Sequence, residues 1–292
     1  MRWPHALRKR LRLADPSYIP LAVESPASYP IELRDVSLGF DEKRVLEGIS
    51  FEVPRGATAV LLGVSGAGKS VLLKLILGLL KPDSGEILIE GENIAPMNEA
   101  ALYAFRRRMG IVFQEGALFD SLSVYENVSY RLREEGERDE EKIENRVRQV
   151  LGFVELEEAI YKMPAELSGG MRRRVAIARA IISQPSIMLY DSPTAGLDPV
   201  TAHTINALMA KMRDVQHVTS IVVTHRIQDA LLLSGFIYSA AEQGLRPITT
   251  NGASAAAEAT QFLVLKDGGL YFRGNRQEIL AARDSYLHGF VK

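Results

Sequence analysis

Eight consecutive residues carry the most specific chemistry in the chain. Gly63-Val64-Ser65-Gly66-Ala67-Gly68-Lys69-Ser70 fits G-x-x-x-x-G-K-[ST]. The glycines let backbone N–H groups curl around phosphate oxygens. The start of the following helix adds a dipole that favours an anion. Lys69 is expected to neutralise β- and γ-phosphates, and the Ser70 hydroxyl to ligate Mg²⁺. Ile187-Met188-Leu189-Tyr190-Asp191 supplies a second half. Its apolar residues read as a buried strand, and Asp191 emerges at the carboxyl end, where open α/β sheets bind ligands. Asp191 is expected to hold Mg²⁺ through water. An apolar run ending in Asp says little alone; after a phosphate loop it says much more. The chemistry is that of a nucleoside triphosphate with a divalent cation.

The phosphate loop needs a strand before it and a helix after it. Thr58–Leu62 is a short apolar run, and Ser70–Leu80 is apolar nearly all round, as a buried helix is. Ile31–Leu38 and Val45–Val53 read as strands of a small first sheet, and Gly85–Glu90 as a returning strand. Further strands are expected at Met109–Phe113, Ser186–Tyr190, Val218–Val223 and Phe262–Leu265. Helices are expected at residues 98–108, Met171–Ile182 and Val200–Met212. Strands alternating with helices imply a parallel sheet with crossovers. Residues 115–165 read as mostly helical, and the charge run Glu134–Arg148 as a solvated helix face. Residues 241–260 are rich in Gly, Ala, Thr and Ser and read as an inserted loop.

Composition limits the remaining possibilities. The 292 residues are 47% apolar and 24% charged, with a net charge of −1 and no cysteine. That balance suits a soluble globular protein and lacks the basic footprint of a general nucleic-acid binder. Disulfides, thiolate metal sites and thiol nucleophiles are excluded. No apolar run approaches the roughly 18–20 residues that span a bilayer, and the N-terminus lacks a signal-peptide core. An intracellular protein is expected, with any membrane role exerted through partners. Residues 1–30 form a basic, proline-containing extension: Arg2, Arg8, Lys9, Arg10 and Arg12 lie among Pro4, Pro16, Pro20, Pro26 and Pro30. It reads as a flexible arm, as a contact for anionic lipid or a partner, or as the product of a mis-assigned start.

Leu167-Ser168-Gly169-Gly170-Met171 narrows the choice. It resembles the signature motif of ATP-binding cassette (ABC) ATPases, with Ser168 as helix N-cap. The resemblance runs over residues 31–235 and more weakly over 261–292. It implies a P-loop NTPase fold of α/β class, with a mostly parallel core sheet flanked by helices. A small antiparallel β-subdomain and an inserted helical subdomain, about 115–165, complete it. It further implies that Ser168, Gly169 and Gly170 face ATP bound to the phosphate loop of a second protomer, so that two chains sandwich two ATP molecules. Other motifs match in order. Gln114 matches the Q-loop glutamine that contacts Mg²⁺ and the attacking water. Asp198, in Ala195-Gly196-Leu197-Asp198, matches the D-loop at the dimer interface. His225 matches the switch histidine that senses the γ-phosphate. Phe40 stands where the family stacks an aromatic on adenine, although a strand-end core role is equally open to it. His5, His203, His217 and His288 have no such context.

Phe113–Val128 (FQEGALFDSLSVYENV), with Met171 where most importers have Gln, resembles the Mce/Mla-type ATPases of bacterial phospholipid transport. That implies separate transmembrane permease subunits, a place on the cytoplasmic face of the inner membrane, and room for a small regulatory subunit and a lipid-binding Mce-type protein. Ala117, Leu118, Phe119 and Leu122 would then line a groove for a permease helix, or else belong to the core. One departure stands out: the family places glutamate after the Mg²⁺ aspartate, and here Ser192 follows Asp191. A serine hydroxyl is no useful base near neutral pH, and general-base help is worth about 10²–10⁴-fold. Slow hydrolysis is therefore expected. Otherwise Glu115 or His225 takes over the base's work, or the chain is a weakly catalytic cassette paired with an active one, by nature or by engineering. A non-transport ABC protein is disfavoured, because the chain has one copy of each motif and no long coiled coil between Gln114 and Ser168.

Overall fold

The computed structural model describes residues 28–41, 43–248 and 260–291. The basic arm before residue 28, His5, and residues 249–259 of the Gly/Ala/Thr/Ser-rich stretch lie outside the described residues.

β1 (Ile31–Phe40) and β2 (Lys43–Val53) pair antiparallel. β3 (Thr58–Gly63) is buried along its whole length and leads into α1 (Lys69–Ile76). β4 (Ser84–Ile89) lies antiparallel to β1, and β5 (Glu92–Asn93) extends the edge, so the small sheet has the order β2-β1-β4-β5. α2 (Glu99–Arg106) and β6 (Met109–Val112) follow. Then come α3 (Val124–Glu134), α4 (Glu140–Phe153) and α5 (Gly169–Ile181). The remaining course is β7 (Ile187–Asp191), α6 (Pro199–Gln216), β8 (Thr219–Val223), α7 (Ile227–Gly235), β9 (Phe236–Ser239) and β10 (Gly244–Pro247). It closes with β11 (Thr260–Lys266), β12 (Gly269–Gly274), α8 (Arg276–Ala281) and α9 (Ser285–Val291).

The central sheet has the order β12-β11-β3-β8-β7-β6. Its neighbours are parallel except the antiparallel edge pair β11–β12. Strand alternation splits the core in two. Ala59, Leu61, Ile187, Leu189, Ile221 and Val223 face α1 and the antiparallel sheet. Val60, Leu62, Met188, Tyr190, Val222 and Phe262 face α5, α6 and the helices beyond them. Both faces of the parallel strands are covered, which is why they read as continuous apolar runs rather than alternating ones.

Several boundaries differ from the sequence reading. α1 ends at Ile76 rather than Leu80, because Gly78 turns with φ +66° and sits so close to Leu102 Cδ2 that a Cβ would lie 2.7 Å from it. α6 runs to Gln216, four residues past the expected end, and stops where His217 adopts φ +53°. In the stretch 241–260, Gly244–Pro247 pairs antiparallel with Phe236–Ser239. β12 was not anticipated; every residue in it is partly or largely exposed, so it carries little apolar signal.

Candidate functional site

The phosphate loop joins β3 to α1 through three glycines with positive φ: Gly63 (+157°), Gly66 (+80°) and Gly68 (+94°). A Cβ on Gly68 would lie 2.7 Å from Leu46 Cδ2, and one on Gly66 would meet nothing within 4 Å. Gly68 is therefore demanded by backbone sterics and close packing, and Gly66 by its φ alone. No side chain caps the start of α1, so its first N–H groups remain available to an anion. The Lys69 ammonium donates to Gly63 O (2.7 Å) and Val64 O (2.8 Å), folded over the loop. Burial lowers its pKa, and the charge of Asp191 opposes that shift. β3 and β7 run parallel on either side of β8, so the phosphate loop and Asp191 leave the same edge of the sheet. The donor set thus suits a polyphosphate: uncapped amides, a cation held over them and a carboxylate nearby.

The other candidate residues sit at the carboxyl ends of neighbouring strands. Asp191 closes β7 and pairs in register with Val223 of β8. Ser192 is 9% exposed, with φ +50°. Its amide donates to Val223 O (2.9 Å), and its hydroxyl donates to Asp191 Oδ1 (3.4 Å). His225 is exposed just past β8, and Gln114 is exposed just past β6. Phe40, at the end of β1, is 46% exposed and so is not a core residue.

Ser168 caps α5 by accepting from Met171 N (3.2 Å). Asp198 caps α6, accepting from the amides of Val200 and Thr201 (3.0 Å each) and from the Thr201 hydroxyl (2.6 Å). The Thr201 hydroxyl bond, followed by its amide bond, lowers the Asp198 pKa. The two caps touch: a Cβ on Gly170 would lie 2.3 Å from Thr201 Cγ2, and one on Gly169 would lie 3.5 Å from Leu197 Cδ2. The second glycine is thus required by packing as well as by any ligand. Gly169, Arg172, Ala195, Leu197 and Glu115 line a cavity of about 450 Å³ that no phosphate-loop residue lines. Glu115 therefore stands on the signature side of the chain's own surface.

Three residues of the site went unremarked in the sequence: Arg173, Thr194 and Asp229. Arg173 is 6% exposed and donates to Pro193 O (3.0 Å), Ala195 O (3.2 Å) and Phe113 O (3.3 Å). Thr194 is 1% exposed, and its hydroxyl donates to Asp229, itself 2% exposed. Arg172-Arg173-Arg174 continues the stretch that resembles the Mce/Mla-type ATPases, and its sequence does not say which way each side chain points. Only the packing shows that the middle one points inward.

A second concave surface lies at the helical subdomain. Tyr103, Ile111, Phe113, Ala117, Phe119 and Tyr130 line a mainly apolar cavity of about 500 Å³, with arginine stems at its rim. Of the four expected groove residues, Ala117 and Phe119 line it; Leu118 packs against the larger core instead. Phe119 and Tyr130 are 4.9 Å apart. Arg179 lies 5.6 Å over Phe119 and donates to Gly116 O and Ala117 O. Asn127, fully buried, accepts from Phe119 N and donates to Phe119 O, Leu122 O and Ser123 O, which sets the loop that carries Phe119.

The comparisons with known proteins agree with this geometry. The ABC transporter family model matches residues 46–195. The intermembrane phospholipid transport system ATP-binding protein MlaF of Escherichia coli K12 is 37% identical over 258 residues, covering 86% of this chain and 95% of the relative. The structure of cbiO1 from Clostridium perfringens, part of the ABC transporter complex cbiONQ, superposes with TM-score 0.72 at 28% identity, over 88% of this chain and 92% of that one. The dimeric structure of the bacterial ABC transporter cassette MJ0796 superposes with TM-score 0.69 at 30% identity, over 84% and 98%. With its phosphate loop, its strand-end carboxylate and its capped signature helix on this fold, the chain belongs to the ABC transporter family and is an ATP-binding cassette with ATPase chemistry.

Proposed function

We propose that this cassette powers a membrane transporter that moves phospholipids or related lipids between bacterial membranes. It would work as an ATP-sandwiched homodimer or paired cassette, bound from the cytoplasmic side to separate transmembrane subunits. The observation that carries the ATPase half is the uncapped α1 terminus under Lys69, at the same edge of the sheet as Asp191. The lipid half is supported by the likeness to MlaF, whose name describes intermembrane phospholipid transport. Among the described residues no helix is long and apolar enough to cross a membrane. The apolar cavity around Phe113, Phe119 and Tyr130 suits a helix of a permease subunit.

Bound ATP supplies the phosphoanhydride, and Mg²⁺ supplies the charge that eases its cleavage. Gly63, Val64, Ser65, Gly66, Ala67 and Gly68 offer amides to the phosphates, and Lys69 offers its ammonium. Ser70, Gln114 and Asp191 are the metal-side residues, Asp191 through water. Phe40 stacks on the adenine. His225 faces the γ-phosphate. Ser168, Gly169, Gly170 and Asp198 act on the ATP of the opposite protomer. Ser192 offers no general base, so turnover is slow or the partner cassette does more of the work. A small regulatory subunit and a lipid-binding Mce-type protein complete the assembly.

The test is steady-state ATP hydrolysis by the chain co-purified with its membrane partner, beside an Asp191→Asn control. ATP-dependent movement of a labelled phospholipid between two vesicle populations is followed in parallel. Hydrolysis and lipid movement that both vanish in the control support the reading. Hydrolysis without lipid movement removes the lipid and leaves the ATPase.

A further inference from the structure

The segment from Ser192 to Leu197 joins the cation-side carboxylate to the D-loop, and two buried ionisable side chains grip it from opposite sides. Arg173 reaches from α5 and donates to Pro193 O and Ala195 O, while a third N–H holds Phe113 O, next to Gln114. Its carbonyl partners carry no formal charge. Burial lowers its pKa, and the nearby charge of Glu115 works against that shift. On the other side Asp229, in the first turn of α7, accepts from the Thr194 hydroxyl, from Thr224 Oγ1 (3.2 Å) and from Asn206 Nδ2 (2.8 Å). Arg226 approaches Asp229 to 3.9 Å and donates to Thr194 O (3.4 Å). Thr224 and Arg226 flank His225, and the Arg226 amide donates to Thr224 Oγ1 (3.0 Å).

We infer that Arg173 and Asp229 are a matched pair of positioning residues. Together they hold the D-loop segment in register with the signature helix, the Q-loop and the histidine loop. Neither needs to touch substrate. Each satisfies groups on a loop that carries a proposed site residue, and each is too buried to exchange its partners for water. A buried charge with this many directed bonds holds geometry more strictly than apolar packing would, because every displacement leaves a polar group unpaired. The pair shares one short target, Pro193-Thr194-Ala195, so the histidine loop and α5 are tied to the same three residues.

The inference rests on the ATPase reading of the site and has its own test. Steady-state hydrolysis by the full chain with its membrane partner is measured for Arg173→Met, Arg173→Lys, Asp229→Asn and Thr194→Val. The double variant Arg173→Met/Asp229→Asn is added, and each Tm is recorded. The expected result is a kcat lowered roughly 10-fold or more in Asp229→Asn and Arg173→Met, with KM for ATP changed less than about 3-fold, since only transition-state alignment is lost. Arg173→Lys recovers part of the loss. The double variant is no worse than the poorer single, because residues acting through one segment are not additive. Val150→Ala, a core truncation in α4 away from these loops, lowers Tm without lowering kcat. Unchanged kcat in the single variants, fully multiplicative losses, or an equal kcat loss in Val150→Ala overturns the pair's positioning role. Thr194→Val keeps shape and volume, so it reads the Asp229 link even if Asp229→Asn fails to fold. If Asp191→Asn itself hydrolyses ATP at the parent rate, it is the site reading that has failed.

Discussion

At Ser192 the backbone already occupies the left-handed region, at φ +50°, and the side chain is nearly buried against Asp191. Any L-residue there bears the same backbone strain, so substituting glutamate adds no new conformational cost, only volume. The substitution places beside Asp191 a carboxylate that can accept a proton. Ser192→Glu is expected to raise kcat for ATP hydrolysis about 100-fold, the lower end of what a positioned base supplies. KM for ATP should stay within a few-fold. A rate that does not rise in a steady-state phosphate-release assay means that the missing carboxylate was not limiting. The serine hydroxyl is a poor proton acceptor, and at 3.4 Å its contact with Asp191 Oδ1 is a weak one.

Among the secondary-structure elements, α6 bears the most buried charge. Arg213 is 2% exposed and pairs with Asp214 (2.7 Å), while donating to Leu233 O and to Phe236 O (2.9 Å). Asp214 in turn accepts from Tyr238 N (2.7 Å). One ion pair therefore fastens the end of α7 and the strand β9 to α6. Removing the arginine leaves a buried carboxylate without its cation and two carbonyls without donors. Arg213→Ala is expected to cost about 3–5 kcal/mol of stability, seen as a lower urea midpoint with little change in slope. A loss below ~1 kcal/mol would show that water replaces the guanidinium easily. At the C-terminus an aromatic series does similar work: Tyr271, Tyr286 and Phe290 meet edge to face, Lys266 lies over the two tyrosines, and the Tyr286 hydroxyl reaches Leu265 O. These contacts seat α9 on β11, the strand beside the phosphate-loop strand.

For the whole molecule, the decisive question is whether the signature helix serves its own phosphate loop or a partner's. Within the chain, the cavity beside Gly169 is lined by Glu115, Arg172 and Leu197, without the phosphate loop. A site completed in trans predicts complementation. Lys69→Ala and Ser168→Arg chains should each be inactive alone. Mixed, they form heterodimers in which one composite site has an intact Lys69 and an intact Ser168. Activity should therefore return, to at most about half that of a parent dimer because only one of two sites works. Failure of the mixture to hydrolyse ATP, with both variants shown to dimerise, would sink the trans arrangement.

The phosphate loop, Asp191 and the alternation of strands and helices were legible in residue type and spacing, and the family in the resemblance of Leu167-Ser168-Gly169-Gly170-Met171 to a known signature motif. These features are local: a glycine turn, a buried strand and a helix start each announce themselves within about ten residues. The tertiary structure decided what depends on residues far apart in the chain. It set β4 beside β1 in the antiparallel sheet and ended α1 at Gly78, where Leu102 crowds the backbone. It turned Arg173 and Asp229, 56 residues apart in the chain (229 − 173), inward toward one loop. A charged residue announces its charge in the sequence. Whether that charge meets water or a buried carbonyl depends on which segments pack over it, and that is settled only when the chain has folded.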